Sequence, residues 1–389
     1  MVVFILKAGL VFINYSVEFL PPKQDALQNI QMANDLADSW KNRDFSLTVA
    51  EPVELAYVIP IACINYFFGY NLYLSAMFNI FFSLIGIFFL YKTALVFAGS
   101  KEAITAALIF SLMPYLNFMS FAFNREIVII SIMIFLIHQT LVWNKSGGII
   151  KDLLLAAIFI YLFCLREEAP VVIIFWSGLV MAANINISKD KLLGAVKITG
   201  LFMTVYLVCL SSSYVLPQNS GQNSGRGGGV LKQEFHINHI SPQVFYDKAA
   251  RHIDFGLAYL PENRPDSWSE CLISYAPVQV LNFLTRPYPW EIFRFNQVFL
   301  VFNNFILYVL YALALFGMAK LILSGQTRKS TALLLFMIFS ILPASLVHGN
   351  GFAASRHREQ LIIFVYILAG IGANLFINRI KSTVDKQVK

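Results

Sequence analysis

Apolar runs of about 20 residues recur along this 389-residue chain, and they limit its possible folds more than any other feature. A run of that length is what an α-helix needs to cross the hydrocarbon core of a bilayer. Charged residues make up 13% of the chain, about half of their share in soluble domains. The sequence therefore predicts an all-α, polytopic membrane protein that is embedded in a lipid bilayer.

The apolar runs predict about ten transmembrane helices. They lie near 2–20, 71–92, 102–120, 127–143, 152–165, 169–186, 192–215, 296–319, 331–347 and 360–378. One further run, 53–69, is short and contains Pro60 and Glu54. We predict that 53–69 is re-entrant or interfacial and that both termini are cytoplasmic, because all the short basic loops then face the cytoplasm, as the positive-inside rule expects.

This topology divides the chain into three parts. An N-terminal membrane bundle covers 1–215 and includes an external loop over 21–70. A large periplasmic loop covers 216–295, and a C-terminal membrane bundle covers 296–389. We expect the chain to lie in a bacterial inner (plasma) membrane as a multi-pass protein.

Several classes of protein find no support in the sequence. The net charge of +7 is spread over short loops, so it does not indicate a nucleic-acid partner. The four cysteines have neither disulfide nor metal-site spacing. Walker, GxSxG and HExxH motifs are absent from the sequence. We therefore predict no metal and no cofactor.

A polar island at 348–359 separates the last two apolar runs. Ser355 stands where a helix N-cap is expected, which places Arg356, His357 and Arg358 in the first helical turn. Cations are disfavoured there by the helix dipole, so an anion such as a phosphate would complete the site. The alternative is that these side chains reach lipid headgroups or pair with a neighbouring carboxylate.

Other ionisable residues fall on the same predicted outer face. A carboxylate there could act as general base toward a hydroxyl, and arginines could hold a phosphate bidentately. We predict Asp25 and Glu51 as catalytic residues and, as phosphate-binding residues, Arg125, Arg166, Arg356, His357 and Arg358. Each of them also has a structural alternative, as a helix start, a loop boundary or a paired couple that sets helix depth.

The first external loop carries a helical pattern of its own. Apolar residues recur at helical spacing from Asp25 to Trp40, which predicts an amphipathic helix lying on the membrane. A Pro-flanked apolar segment follows and ends at Phe68-Gly69. This order of features resembles the N-terminal half of C-type (GT-C) membrane glycosyltransferases. The matching position of that family's catalytic acid is Asp25, although Gln28 and Asn29 stand where a tyrosine is often found.

The C-terminal part resembles membrane proteins of bacterial polysaccharide clusters. The resemblance lies in Gly349-Asn350-Gly351 with Arg356-His357-Arg358, and in Arg286-Pro287-Tyr288-Pro289-Trp290. The overall layout is similar to O-antigen and capsule repeat-unit polymerases.

These resemblances imply transfer of sugar from a polyprenyl-(di)phosphate-linked donor to a glycan or lipid-linked acceptor on the periplasmic side, with polysaccharide assembly proteins as possible partners. Two alternatives stay open: a repeat-unit polymerase, and a polysaccharide flippase or transporter without catalysis.

Overall fold

A computed structural model describes residues 2–17, 24–44, 52–142, 148–183, 189–215, 243, 246–247, 265–291, 298–347 and 351–387. The structure is 90% helical, and the described residues contain no strand. This agrees with the predicted all-α class. The second catalytic candidate, Glu51, lies outside the described residues.

Fifteen helices are numbered among the described residues, and a short 3-10 helix, Pro289–Glu291, follows the eleventh. The first ten are α1 Val2–Val17, α2 Gln24–Lys41, α3 Pro52–Phe68, α4 Leu72–Phe97, α5 Ser100–Leu112, α6 Pro114–Phe121, α7 Glu126–Val142, α8 Ile149–Leu165, α9 Ala169–Ala183 and α10 Lys189–Val215. Helix α11 covers 268–285, with a first turn Trp268–Glu270, a π-helical segment Cys271–Tyr275 and an α-helix Ala276–Thr285. The last four are α12 Val298–Leu323, α13 Thr327–Val347, α14 Gly351–Leu361 and α15 Ile363–Gln387.

Among the described residues, four helices are long and apolar enough to cross a membrane: α4, most of α12, α13 and most of α15. The count rises to five when α5 and α6 are taken together as one bent span. Several other apolar helices are shorter, at 10–17 residues. The architecture fits a multi-pass membrane protein, while the count of about ten spans stays a prediction.

The two predicted membrane bundles share one apolar core. Helix α15 packs against α12 and α5, and α4 packs against α5 and α7. Two glycines allow the closest contact, because a Cβ on Gly317 would lie 2.0 Å from the Leu368 carbonyl oxygen and a Cβ on Gly372 would lie 2.0 Å from the Leu313 carbonyl oxygen. Helices α12 and α15 therefore touch backbone to backbone, as small residues permit in membranes.

The prediction of one continuous helix over 102–120 is wrong, because the structure has two helices there, α5 and α6. The chain bends by 56° between α5 and α6, with Pro114 as the first residue of α6. A proline lacks the N–H for the helical hydrogen bond, and its ring clashes with the carbonyl four residues earlier. The Tyr115 N–H, next in sequence, donates to the Asn303 Oδ1 atom at 3.1 Å instead.

The predicted helix over Asp25 to Trp40 is confirmed as α2. Its apolar face is buried at Ala26, Ala33, Leu36 and Ala37, and it packs on α3. The predicted segment 53–69 is one helix, α3, which continues through Pro60. The Asn65 side chain donates to Asn34 Oδ1 at 2.8 Å and ties α3 to α2.

Candidate functional site

The site is centred on an ion pair between two helix ends. Glu126 is the first residue of α7, and Arg166 caps the last turn of α8. Both positions are favourable, because the helix dipole attracts a carboxylate to an N-terminus and a cation to a C-terminus. The Arg166 Nη2 and Glu126 Oε1 atoms are 2.6 Å apart, and the side chains are 10% and 2% exposed. The pair is therefore charged and largely shielded from solvent.

Helix α14 completes the group with His357 and Gln360. Arg166 Nη1 lies 2.7 Å from His357 Nδ1 and 3.3 Å from Gln360 Oε1. The Gln360 amide donates to the second oxygen of Glu126. We call Glu126, Arg166, His357 and Gln360 the arginine cluster. It joins the ends of α7 and α8 to a helix that lies far along the chain, with 234 residues between Glu126 and Gln360 and 191 between Arg166 and His357.

The hydrogen bonds fix the state of the histidine ring. A guanidinium has only donors and keeps its proton in proteins, so His357 Nδ1 must accept from Arg166. This contact corresponds to the tautomer that carries its proton on Nε2. A protonated His357 would place two cations against each other.

Helix α14 does not begin where the sequence predicts. The chain is already helical at Gly351, so Ser355 is a buried residue inside the helix and not its N-cap. Arg358 lies in the last turn, where the dipole favours a cation. The argument that an anion must complete a helix N-terminus at this point is therefore wrong. Ala353 and Ala354 are strong helix formers, and they extend the helix upstream of Ser355.

Arg358 is fully buried and faces another part of the fold. Its Nη1 atom donates to the carbonyl of Leu284, in the last turn of α11, at 3.0 Å and to that of Arg286, the C-cap residue, at 3.2 Å. Its Nη2 atom donates to Asn304 Oδ1 at 2.6 Å. Arg358 thus caps a helix C-terminus, and the sequence prediction of a phosphate ligand at this position has no separate support.

Next to Arg358, Glu359 turns toward α12 and α15. It is fully buried, accepts from Asn303 Nδ2 at 3.2 Å, and accepts from the Tyr366 hydroxyl. Asn303 also accepts a hydrogen bond from the Tyr115 N–H at the α5–α6 bend. The Asn303 side-chain amide therefore connects that bend to Glu359. A buried carboxylate with such partners is expected where membrane proteins perform their function.

The remaining predicted residues are placed as follows. Arg356 is partly buried on α14, one turn before Gln360 and on the same helix face. Arg125 is partly buried immediately before α7. Asp25 is in the first turn of α2, a helix that packs on α3.

The structure therefore brings Arg166 and His357 together and places Arg356 on the same helix face as Gln360. Asp25 lies on α2, whereas the arginine cluster is formed by residues of α7, α8 and α14. Sequence reasoning missed Gln360, Asn303, Asn304 and Tyr366. The Asn303-Asn304 pair inside an apolar run was the available signal, because polar residues in a membrane helix are costly.

The described residues contain no group of three or more histidine, cysteine or acidic side chains that could hold a metal. No protein-family model matches the chain, and no curated protein is similar to it.

Proposed function

We propose that the protein is an integral membrane enzyme of cell-surface polysaccharide biosynthesis. It transfers sugar from a polyprenyl-(di)phosphate-linked donor to a glycan or lipid-linked acceptor, in the manner of GT-C glycosyltransferases. The observation that carries this proposal is the arginine cluster, in which a shielded Arg166 is held by Glu126 and Gln360 and extends to a partly buried histidine.

Such a cluster suits a phosphate leaving group. An arginine held in place by its neighbours can bind a phosphate oxygen without reorganising, which favours the charge that develops as the sugar–phosphate bond breaks. Arg356, one helical turn away, supplies a second guanidinium. His357, which contacts Arg166, adds an imidazole of the kind that can donate to a phosphate oxygen.

The acceptor hydroxyl needs a separate base. Both oxygens of Glu126 are already engaged, one by Arg166 and one by Gln360. Glu126 therefore suits the positioning of Arg166 better than proton abstraction. We retain Asp25 as the proposed base with Glu51 in reserve, because Asp25 lies in the first turn of the helix that resembles the corresponding element of GT-C enzymes.

A repeat-unit polymerase would use the same chemistry on a larger donor. The product separates the two reactions, because a transferase adds one sugar, whereas a polymerase yields a ladder of chain lengths.

A transporter is the second candidate, and one observation favours it. The α5–α6 bend and the short break at residue 362 between α14 and α15 are bridged through Asn303 and Glu359. Discontinuous helices that meet at buried polar groups are typical of transporter binding sites. This reading predicts that lipid-linked glycan accumulates on the cytoplasmic side when the protein is inactive.

The test is complementation of a strain that lacks the protein. Asp25→Asn and Arg356→Ala are each expressed to wild-type membrane levels, and surface polysaccharide and lipid-linked intermediates are separated on gels. We expect both variants to lose the product or to stop at one unit, with the donor accumulating on the external face. Full restoration by both variants would make these residues structural and remove the support for catalysis.

A further inference from the structure

Helix α11 has an apolar face that the rest of the described chain leaves uncovered. Its inner face carries Cys271, Tyr275 and Phe283, all buried. Its outer face carries Leu272, Ile273, Val278 and Leu281, of which Ile273 is 75% exposed and Leu281 57% exposed. The sequence has no charged residue from 271 to 285. A helix that is apolar on both faces does not match a loop lying in water.

The C-terminal end of α11 is bound by side chains from well inside α12. Asn304 Nδ2 donates to the Pro287 carbonyl at 2.9 Å, and the Tyr311 hydroxyl donates to the Leu284 carbonyl at 3.2 Å. The Tyr308 hydroxyl donates to the Thr285 carbonyl. The last turn of α11 therefore lies alongside 304–311, and not at the beginning of α12.

The depth of these residues follows from helix geometry. Lys320, in the last turn of α12, pairs with Glu102 at 3.1 Å and marks the opposite boundary of the bundle. At 1.5 Å per residue, Asn304 lies about 24 Å from Lys320 and Tyr308 about 18 Å from it. The hydrocarbon core is about 30 Å thick. The end of α11 consequently lies several ångströms inside the hydrocarbon boundary on its own side.

A helix end at that depth needs protein partners for its carbonyls, because hydrocarbon supplies no hydrogen-bond donors. The structure provides them. Arg358 donates to the carbonyls of Leu284 and Arg286, in addition to the donors from α12. Irregular backbone is tolerated within a membrane only when it is satisfied in this way.

We propose that α11 is a re-entrant helix that dips into one leaflet and that lipid acyl chains cover its outer face. The occupant is lipid because of this depth, and because the exposed apolar residues Phe305 and Val309 stand next in sequence to Asn304 and Tyr308, whose side chains bind the end of α11. This inference rests on the membrane placement of the bundle and not on the proposed enzymatic function. It places 268–285 in the membrane, whereas the sequence predicts that these residues belong to the large periplasmic loop 216–295.

Site-directed spin labelling in proteoliposomes tests this proposal. In a chain whose four cysteines are replaced by alanine, Ile273→Cys and Leu281→Cys are labelled one at a time. Collisions with oxygen, which partitions into lipid, are compared with collisions with a water-soluble nickel chelate. Val309→Cys on α12 serves as the lipid-facing control, and the exposed Ser269→Cys serves as the control near the start of α11.

We expect the label at position 281 to lose nickel collisions and to collide with oxygen as frequently as the label at 309. The label at 273 should lie at a shallower depth than the label at 281. Nickel collisions at 281 as frequent as those at 269 would show that the face is in water. Exclusion of both reagents would show that protein covers it, and equal depths at 273 and 281 would show a helix lying flat on the surface. Each of these results would overturn the proposal.

Discussion

Replacing Arg166 by glutamine is expected to lower the free energy of unfolding by about 3–5 kcal/mol, because it leaves the buried Glu126 carboxylate without its cation. The loss should be visible as a lower midpoint of thermal unfolding in detergent or nanodiscs. The double variant Glu126→Gln with Arg166→Gln removes both charges. It should recover much of that loss, since two amides can bond to each other and to Gln360.

A matched control for this prediction is the Lys320–Glu102 pair at the other end of the bundle. Its side chains are 36% and 18% exposed, so water and salt screen the interaction. Lys320→Gln should therefore cost about 1 kcal/mol or less. Equal losses from Arg166→Gln and Lys320→Gln would contradict the shielded environment described for Glu126. A double variant no more stable than the single one would contradict the assigned pairing.

The second large effect is expected at the contact between α12 and α15. A methyl group at Gly317 or Gly372 would lie 2.0 Å from a backbone carbonyl oxygen of the facing helix, and a backbone cannot move aside as a side chain can. Gly317→Ala and Gly372→Ala should each force the helices apart and destabilise the fold by about 1–3 kcal/mol or more. The midpoint of thermal unfolding measures the change.

Two other helical glycines give the control. A Cβ at Gly178 in α9 or at Gly200 in α10 would meet no atom within 4 Å. Alanine is a better helix former than glycine by about 1 kcal/mol, so Gly178→Ala and Gly200→Ala should be neutral or slightly stabilising. If all four alanine variants behaved alike, the backbone-to-backbone contact would be wrong.

Sequence reasoning recovered most of the helices, because long apolar runs and the helical spacing in α2 are local signals. It failed at two helix boundaries, the break at Pro114 and the start of α14. Pro114 was present in the predicted helix 102–120, but a proline only sometimes ends a membrane helix. Whether it does depends on a partner for the freed N–H, which here is Asn303 from 188 residues away. Ser355 resembled an N-cap, but the alanines before it continue the helix.

In the candidate site, too, some features follow from local sequence and others depend on contacts between distant parts of the chain. Arg166 and His357 could be selected from sequence as ionisable residues at the ends of apolar runs. That Arg166 would pair with Glu126 and that Gln360 would bridge them depends on three helices meeting, and no local pattern encodes it. For Arg358, local sequence suggests a role that the fold does not support. Its neighbours in sequence suggest a ligand site, whereas its position in the fold makes it a cap for α11.

The central claim is that the arginine cluster and Arg356 bind the phosphate of a polyprenyl lipid. The most direct measurement is saturation binding of polyprenyl phosphate, with polyprenol as the uncharged comparison, to purified protein in nanodiscs. Loss of one charge-assisted contact is worth about 1.5–3 kcal/mol, or roughly tenfold or more in affinity. We predict that loss for Arg356→Gln and unchanged binding for Arg328→Gln, at the opposite end of the bundle. Equal binding of polyprenyl phosphate and polyprenol, or equal affinity of both variants and wild type, would contradict the account.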